Sequence, residues 1–334
     1  MSDHSLHHIY KTIKADYKHI FVVPLIRFDF PKSDYLSLLY APFIAKNPKI
    51  TVHSISVWGH WKFVIAQLIR KKSILHYHWL EFQDFKSLSG MIYKLKMIGL
   101  YKLLGGKIVW TIHNITPHDK KWLKAHAIMH RWMAKISNKV LVHSHSQVKL
   151  ITTLYSIPSK KIEVVAHPRF PATLFDKEEA RNKLFNKFRL KIHHKIPLIG
   201  AFGAISAYKN FEKTIQILHE IDFRGAFLVI GYLKKGQDQI HQTLSEYSKK
   251  YDWFMYHPEF VPEQDIPSIM NAFDYCLFNF KDISTSGGVE MARCYKKKII
   301  APRKGILTDF EHEPNVHLFS NSTELKNILQ TLLS

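Results

Sequence analysis

Two acidic residues and a run of small residues near the carboxyl end of the chain could bind a phosphorylated, hydroxyl-rich molecule. Asp282 and Glu290 stand with seven residues between them, and Ser286, Gly287 and Gly288 lie in that interval. Serine is a good helix-capping residue, and glycine lets another group approach the backbone closely. Because the free N–H groups at the start of a helix favour anions, the turn predicts a phosphate site if a helix begins there.

The two carboxylates would repel a phosphate alone, but they suit a ligand that also carries hydroxyl groups. An ionised carboxylate only accepts hydrogen bonds, and it can accept them from two hydroxyl groups at once. A phosphate flanked by hydroxyl-rich rings describes a nucleotide sugar. The residues by themselves leave open the alternative that the segment is only a helix-capping turn of an α/β protein.

The same segment resembles a known family of enzymes. The spacing of Asp282 and Glu290, followed by Met-Ala and later by Lys298-Ile-Ile, is similar to the E-x7-E motif of retaining family 4 glycosyltransferases, which have the GT-B fold. The resemblance implies that Glu290 binds the nucleotide ribose and that Asp282 contacts the donor sugar, both as catalytic-site residues. Asp282 stands where Glu is commoner, a departure that bears on which sugar is transferred.

A second glycine turn resembles the diphosphate loop of the same family. In the run GAFGAISAYKN, Gly203 would contact the donor and Lys209 matches a lysine that grips the diphosphate. The arginine usually found a few residues earlier is absent, and a lysine lacks its two-pronged hydrogen bonding. We therefore expect weaker neutralisation of the diphosphate, or a share taken by another base such as Lys281 or Arg303. A solvated loop lysine is the alternative interpretation.

Histidines stand at the ends of two predicted strands in the amino-terminal half. The segments HYHW and VWTIHNITPH resemble those of bacterial exopolysaccharide-type glycosyltransferases, in which these strand ends face the acceptor and the donor sugar. The resemblance places His78, Asn114 and His118 on the acceptor side. It makes His113 a catalytic candidate, because an imidazole can accept a hydrogen bond or take a proton. With 22 histidines in the chain, chance placement is the alternative for each.

Two histidine pairs, His76-x-His78 and His143-x-His145, raise the question of a metal. Alternate residues of a strand share one face, so either pair could chelate zinc. The chain has no H-E-x-x-H motif and no cysteine pair of metal-binding type, and a histidine-rich chain produces such pairs by chance. We therefore expect neither a metal nor another cofactor, and the nucleotide sugar would be a substrate.

Apolar strand candidates alternate with helix candidates along the whole chain, in two successive series. Such alternation is typical of parallel, doubly wound sheets. We predict an acceptor-side Rossmann-like domain at 1–175 and a nucleotide-sugar-binding Rossmann-like domain at 197–334. The composition between them shifts to a basic amphipathic segment flanked by prolines, and we predict a linker there, at 176–196. Two α/β domains of this kind, facing each other across a cleft, form the GT-B architecture that the resemblance implies.

Composition bounds the class and the compartment. The 334 residues are 46% hydrophobic, which is enough for two domain cores. The first residues are polar and no run approaches 18 apolar residues, so we expect neither a signal peptide nor a transmembrane helix. Cys276 and Cys294 fall on apparently buried elements, so we expect free cysteines in a reducing, cytoplasmic environment.

A predicted helix at about 85–104 is basic as well as amphipathic. Apolar residues such as Leu95 and Ile98 alternate with lysines such as Lys94 and Lys96. Such a helix could lie on an anionic membrane, and a core-facing helix with solvated lysines is the alternative. Since acceptors of the resembled family include polyprenyl-linked sugars, the resemblance favours a peripheral contact with the inner face of the cell membrane.

The resemblance thus predicts a hexosyltransferase-type enzyme acting with retention in cell-surface polysaccharide biosynthesis, with a saccharide or polyprenyl-linked acceptor. Two alternatives remain. A formal net charge of +21 and 13% aromatic residues would suit a nucleic-acid-binding protein, although the basic residues are scattered and no binding motif is present. The missing arginine would suit a catalytically inactive homologue that only binds sugar nucleotides.

Overall fold

A computed structural model of the chain describes residues 2–82, 85–114, 122–190, 195–281 and 286–333. These residues form two compact units, Met1–Pro168 and Arg169–Ser334. Each unit is built on a six-stranded parallel sheet covered by helices. The predicted pair of doubly wound α/β units is confirmed.

The strands of the first unit are β1 (His19–Val23), β2 (Thr51–Ser54), β3 (Ser73–Tyr77), β4 (Lys107–Thr111), β5 (Lys139–Val142) and β6 (Ile162–Val164). Its helices are α1 (Ser2–Ile13), α2 (Tyr35–Lys46), α3 (Trp61–Arg70), α4 (Phe85–Leu103), α5 (Leu123–Ile136) and α6 (His145–Tyr155). The strands lie in the order β2-β1-β3-β4-β5-β6.

Helices cover both faces of this sheet, and successive residues of a strand point to opposite faces. Phe21 and Trp110 belong to the core shared with α3, α4, α5 and α6. Their neighbours Ile20 and Val109 belong to the opposite core, shared with α1 and α2. Double burial explains why the inner strands β1 and β4 are nearly continuous apolar runs without polar alternation.

The strands of the second unit are β7 (Leu198–Phe202), β8 (Ala226–Ile230), β9 (Phe254–His257), β10 (Tyr275–Leu277), β11 (Lys298–Pro302) and β12 (Val316–Phe319). Its helices are α7 (Lys177–Phe188), α8 (Phe211–Glu220), α9 (Asp238–Lys250), α10 (Ile266–Ala272), α11 (Gly287–Cys294) and α12 (Ser322–Leu333). The strands lie in the order β12-β11-β10-β7-β8-β9, and all are parallel.

The segment predicted as a linker contains helix α7, which belongs to the second unit. Asp176 caps the helix by accepting hydrogen bonds from two backbone N–H groups of its first turn. Leu184 is buried, and Arg181 is 2% exposed. The guanidinium of Arg181 lies 2.5 Å from a carboxylate oxygen of Asp274, immediately before β10. The basic character that suggested a linker therefore serves in part to hold α7 against the sheet.

Because both sheets are parallel, each brings the carboxyl ends of its strands to one edge, where ligands of such sheets bind. The predicted site residues follow strands at these edges. Among the described residues, no helix is long and apolar enough to cross a membrane.

Candidate functional site

Two glycine turns lie side by side at the carboxyl edge of the second sheet. Gly203 follows β7 with a φ of 100°, a conformation that glycine adopts readily. Gly231 follows the neighbouring β8, and a Cβ at that position would lie 2.2 Å from the carbonyl oxygen of Gly203. Only a glycine fits there, so the two turns pack backbone against backbone. Sequence reasoning singled out Gly203 and missed Gly231, whose place after an apolar strand was the available signal.

Lys209 is directed into this edge from a short 3-10 turn, Ala207–Lys209, and is 9% exposed. Its Nζ donates to the carbonyl oxygen of Phe202 at 3.3 Å and lies 3.8 Å from where a Cβ on Gly203 would be. Burial, with a further contribution from Lys234, lowers the pKa of Lys209 to about 7. An anion beside Nζ would favour its charged form.

Helix α11 begins at the same point. Ser286 caps it, its Oγ accepting the N–H of the residue three positions on at 3.3 Å, and the exposed Gly287 opens the helix. A Cβ at Gly288 would lie 3.7 Å from the carbonyl oxygen of Phe202, the atom to which Lys209 donates. The β7 turn, the ammonium group and the start of α11 therefore surround one point, and both the ammonium and the helix start favour an anion there.

Glu290 lies in the first turn of α11 and is 8% exposed. Its two carboxylate oxygens accept from Nη1 of Arg293 at 3.0 and 2.8 Å. Arg293 also donates Nε–H to Glu313 at 3.1 Å and covers the ring of Phe310 at 3.8 Å. Burial raises the pKa of Glu290, and the charge of Arg293 opposes that rise. Sequence reasoning missed Arg293, although its spacing of three from Glu290 was visible.

The other residues predicted for this site are one acidic residue, Asp282, and two basic residues, Arg303 and Lys281. Asp282 lies outside the described residues. Arg303, considered as a second base for the diphosphate, is paired with Glu311, and Lys281 is exposed. Lys234, which was not predicted, is the cation whose charge acts on the Lys209 ammonium.

In the first unit, four histidines follow four adjacent strands. His78 comes directly after β3, His113 shortly after β4, His143 directly after β5 and His167 shortly after β6. Tyr35 contacts several of them: its ring centroid lies 4.7 Å from that of His113 and 5.0 Å from that of His167, and its hydroxyl is 3.2 Å from Nε2 of His143. Sequence reasoning named His78 and His113 for this site, considered His143 only as a zinc ligand, and omitted His167 and Tyr35.

His113 is enclosed by its neighbours and is 6% exposed. Its Nε2 lies 3.2 Å from Nδ1 of His78, and the ring of Trp79 stacks on it at 4.1 Å between centroids. Burial, reinforced by neighbouring histidines, lowers the pKa of both His113 and His78 well below the ordinary histidine value. These imidazoles are therefore neutral at physiological pH, with one nitrogen donating and the other accepting. Asn114 donates to Glu81 at 3.0 Å.

The histidine pairs considered for zinc are engaged in other ways. Nδ1 of His76 lies 2.5 Å from the hydroxyl of Tyr40, and its Nε2 lies 2.8 Å from Oγ1 of Thr111. His145 opens α6 and does not share a strand with His143, since β5 ends before both. Within the described ranges, no three His, Cys, Asp or Glu residues are grouped so that they could hold a metal ion. His118 lies outside those ranges.

No protein-family model matches the sequence, and no curated protein sequence matches it significantly. Solved structures are nevertheless similar along almost the whole chain. HepE from Anabaena, in complex with UDP and glucose, has 16% sequence identity and a TM-score of 0.65, over 95% of this chain and 90% of HepE. Sucrose-phosphate synthase from Thermosynechococcus elongatus has 13% identity and a TM-score of 0.67, with 95% and 90% covered.

An α,α-trehalose-phosphate synthase (UDP-forming) from Burkholderia vietnamiensis has 9% identity and a TM-score of 0.66, over 96% of this chain and 91% of the synthase. At such identities the similarity shows the fold. The predicted GT-B architecture of two Rossmann-like units is confirmed.

Proposed function

We propose that the chain is a glycosyltransferase that moves a sugar from a nucleotide-sugar donor to a saccharide or lipid-linked acceptor. The observation that carries the proposal is the convergence of Gly203, Lys209 and the start of α11 on the carbonyl of Phe202. This convergence is suited to a diphosphate, and Glu290 lies one helical turn away to accept hydroxyl groups. The structures of HepE, which hold UDP and glucose, support a nucleotide-sugar donor by likeness of fold.

In the proposed complex each donor group meets a matching side chain. Lys209 and the N–H groups of Gly287 and Gly288 hold the diphosphate, and Glu290 accepts the ribose hydroxyls. Asp282 contacts the donor sugar. Lys234 supplies the second positive charge that the resembled family draws from an arginine, because its charge already acts on Lys209. A lysine pair neutralises the diphosphate without the fork geometry of arginine.

The reaction breaks the bond between the anomeric carbon of the sugar and an oxygen of the diphosphate. The acceptor hydroxyl oxygen bonds to that carbon and releases its proton to an oxygen of the departing diphosphate, which takes the electron pair of the broken bond and leaves as nucleoside diphosphate. Preorganised cations and N–H groups at the leaving diphosphate stabilise this transition state without a metal. On the acceptor side we propose that neutral His113 hydrogen-bonds the reacting groups, with His78 and Asn114 beside it.

We further propose a hexosyl transfer with retention, in the biosynthesis of a cell-surface polysaccharide. The protein would act in the cytoplasm, peripherally on the inner face of the membrane, with α4 as one point of contact. These finer assignments rest on the motif resemblance at Asp282, Glu290 and the HYHW and VWTIHN segments.

A thermal shift screen against UDP-, GDP-, ADP- and CMP-sugars tests the donor proposal. A ligand that binds only the folded state at a hundred times its dissociation constant adds about 2.7 kcal/mol of stability. That corresponds to a rise in Tm of about 5 °C or more for a unit of this size. The matched control is Lys209→Ala, which should lose the rise. If none of the sugar nucleotides raises the Tm of the wild type, the proposal is wrong.

Transfer itself requires a second readout. Release of nucleoside diphosphate in the presence of acceptor extracts would establish an enzyme. Binding of one sugar nucleotide without release, over a range of saccharide and lipid-linked acceptors, would instead identify a catalytically inactive binding protein.

A further inference from the structure

The positive charge of the protein is concentrated in its first unit. Residues 1–168 contain 25 Lys and Arg against 8 Asp and Glu, a formal charge of +17, whereas residues 169–334 contain 23 against 19, a charge of +4. Helices α3, α4 and α5 contain no acidic residue at all. A surface made by these helices is therefore cationic without internal ion pairs.

The three helices lie on the same side of the first sheet. Phe63 of α3, Ile98 of α4 and Met133 of α5 are all buried in one core. Helix α3 packs against α4, and the space beside Gly99 of α4 is filled by the ring of Trp132 of α5. With their inner sides in a common core, the outer sides of the three helices form one surface, which we call the α3–α5 face.

The α3–α5 face carries large apolar side chains in water. Trp58, just before α3, is 74% exposed, Ile69 of α3 is 74% exposed and Leu103 of α4 is 86% exposed. Further exposed apolar residues on these elements are Trp61, Ile65, Leu68, Ile92, Leu100 and Ile128. Exposed cations interleave with them, namely Lys62, Lys96, Lys124, Arg131 and Lys135.

A groove adds to this face at the edge of the sheet. It has a volume of about 550 Å³ and lies between α3 and the edge strand β2. Ile65 and Ile69 line one side and His53 lies on the other. Contiguous exposed apolar patches on a protein surface mark interaction sites.

Three kinds of partner could cover a cationic apolar face, and its chemistry favours one. Nucleic acid would neutralise the lysines but leave Trp58, Ile69 and Leu103 without an apolar environment. A second copy of the chain would bring a formal charge of +17 against +17. A bilayer with anionic headgroups accommodates tryptophan at the headgroup level, aliphatic side chains below it and lysines beside the phosphates.

We propose that the α3–α5 face is the docking surface of this protein for an anionic lipid bilayer. The proposal extends the membrane contact suggested for α4 to α3, α5 and the short 3-10 turn Val57–Gly59 that contains Trp58. It stands whether or not the protein transfers sugars, since it rests on charge and exposure alone.

The first test measures sedimentation of the full chain with vesicles of phosphatidylcholine, alone or mixed equally with phosphatidylglycerol. Wild type should pellet with the mixed vesicles and remain in solution with phosphatidylcholine alone. The variant carrying Lys62→Glu, Lys96→Glu and Lys124→Glu should bind the mixed vesicles about a hundredfold more weakly, because each basic residue at such a surface contributes about a factor of five.

The matched control carries Lys249→Glu, Lys250→Glu and Lys296→Glu, three exposed lysines of the second unit. It has the same change in net charge and should retain most of the binding. Equal losses in the two variants would show that binding follows net charge and would overturn the proposal, as would equal pelleting of wild type and the first variant.

A second variant, Trp58→Ser with Trp61→Ser, separates a bilayer from a purely electrostatic partner. Loss of two interfacial aromatic side chains should weaken vesicle binding by about tenfold or more. Vesicle binding unchanged by this variant would overturn the proposal, as would a wild-type dimer in sedimentation velocity that the variant dissociates. The thermal response to sugar nucleotides, measured on the same samples, should be unaffected, so failure here is distinct from failure of the proposed transferase function.

Discussion

At the scale of single residues, the least ordinary group is the buried ammonium of Lys209. A lysine with a pKa of about 7 changes its charge within the physiological range. In the absence of ligand this ammonium group is partly neutral, which reduces the free-energy cost of burying it. Its described hydrogen bond is to the carbonyl oxygen of Phe202 at the end of β7 and not to a carboxylate. Binding of a diphosphate would restore the full charge and must then take up a proton.

The affinity for the nucleotide sugar should therefore depend on pH. Below about pH 7 Lys209 is already protonated and affinity is highest; above it, affinity should fall by up to about tenfold for each pH unit. A nucleotide sugar is the right probe, since its diphosphate has no terminal phosphate that titrates near pH 6. Calorimetry across this range should show the slope in wild type and a flat, weaker profile in Lys209→Ala. The same slope in both proteins would exclude Lys209 as its source.

Glu290 is the second residue with a testable charge. Replacing it by Gln keeps its shape and removes the ionised acceptor, and charge-assisted hydrogen bonds contribute about 1.5–3 kcal/mol. We expect nucleotide affinity to fall by about one to two orders of magnitude, with the fold retained. Calorimetry with UDP or the nucleotide identified in the thermal screen measures this. Glu313→Gln is the control, because it changes the other partner of Arg293 and leaves Glu290 ionised; an equal loss there would remove Glu290 from the ribose site.

At the scale of elements, the strand ends explain what could be read from the sequence. Apolar runs marked the strands, so the positions after them were visible, and His78, His113 and Gly203 were found in this way. That His143 and His167 join the same cluster depends on β5 and β6 lying next to β4, an order that no local pattern contains. The pairing of Arg293 with Glu313 likewise joins residues 20 apart in the chain and needs the fold.

Helix α7 shows the same limit in another form. Its composition is polar and basic, which predicted a linker at 176–196, and its buried contacts are made with distant residues. Arg181 forms an ion pair with Asp274, and Lys187 forms one with Asp265 at 2.5 Å. Local composition shows which residues are charged, but it does not show whether a distant residue of opposite charge will pair with them in the folded protein.

Arg181→Met should destabilise the second unit by about 3 kcal/mol, because it leaves a carboxylate without its buried partner. Lys177→Met is the matched control: Lys177 contacts the same carboxylate at 3.0 Å, but its side chain is 53% exposed, so its loss should cost less than about 1 kcal/mol. Hydrogen exchange followed by mass spectrometry resolves α7 and β10 from the first unit. Similar protection in both variants would mean that the Arg181 pair adds little to stability.

At the scale of the whole molecule, two alternating series of strands and helices were enough to predict two doubly wound units, because parallel sheets require a crossover after every strand. The alternation of strands and helices does not predict which unit holds which group of polar side chains. The proposed anion site around Lys209 lies in the second unit, and the histidine cluster around Tyr35 lies in the first.

This division predicts different defects for two alanine variants. Lys209→Ala should weaken binding of nucleoside diphosphate directly. His113→Ala should leave that binding almost unchanged and lower turnover by about 10²–10⁴-fold if the imidazole positions the reacting groups or handles a proton. Calorimetry and single-turnover assays on both variants separate the two effects. If His113→Ala lost nucleotide affinity as severely as Lys209→Ala while remaining folded, the assignment of the donor to the second unit alone would be wrong.

During synthesis, Arg181 leaves the ribosome 93 residues ahead of the carboxylate that will neutralise it. At about 5–20 residues per second, the interval is about 5–20 s. By then every strand of the first unit has left the ribosome, whereas α7 carries Leu184 and Phe185, buried in the finished protein, before the rest of the second unit has been made. A nascent chain stalled before Asp274 would therefore hold a folded first unit followed by a helix accessible to chaperones and proteases.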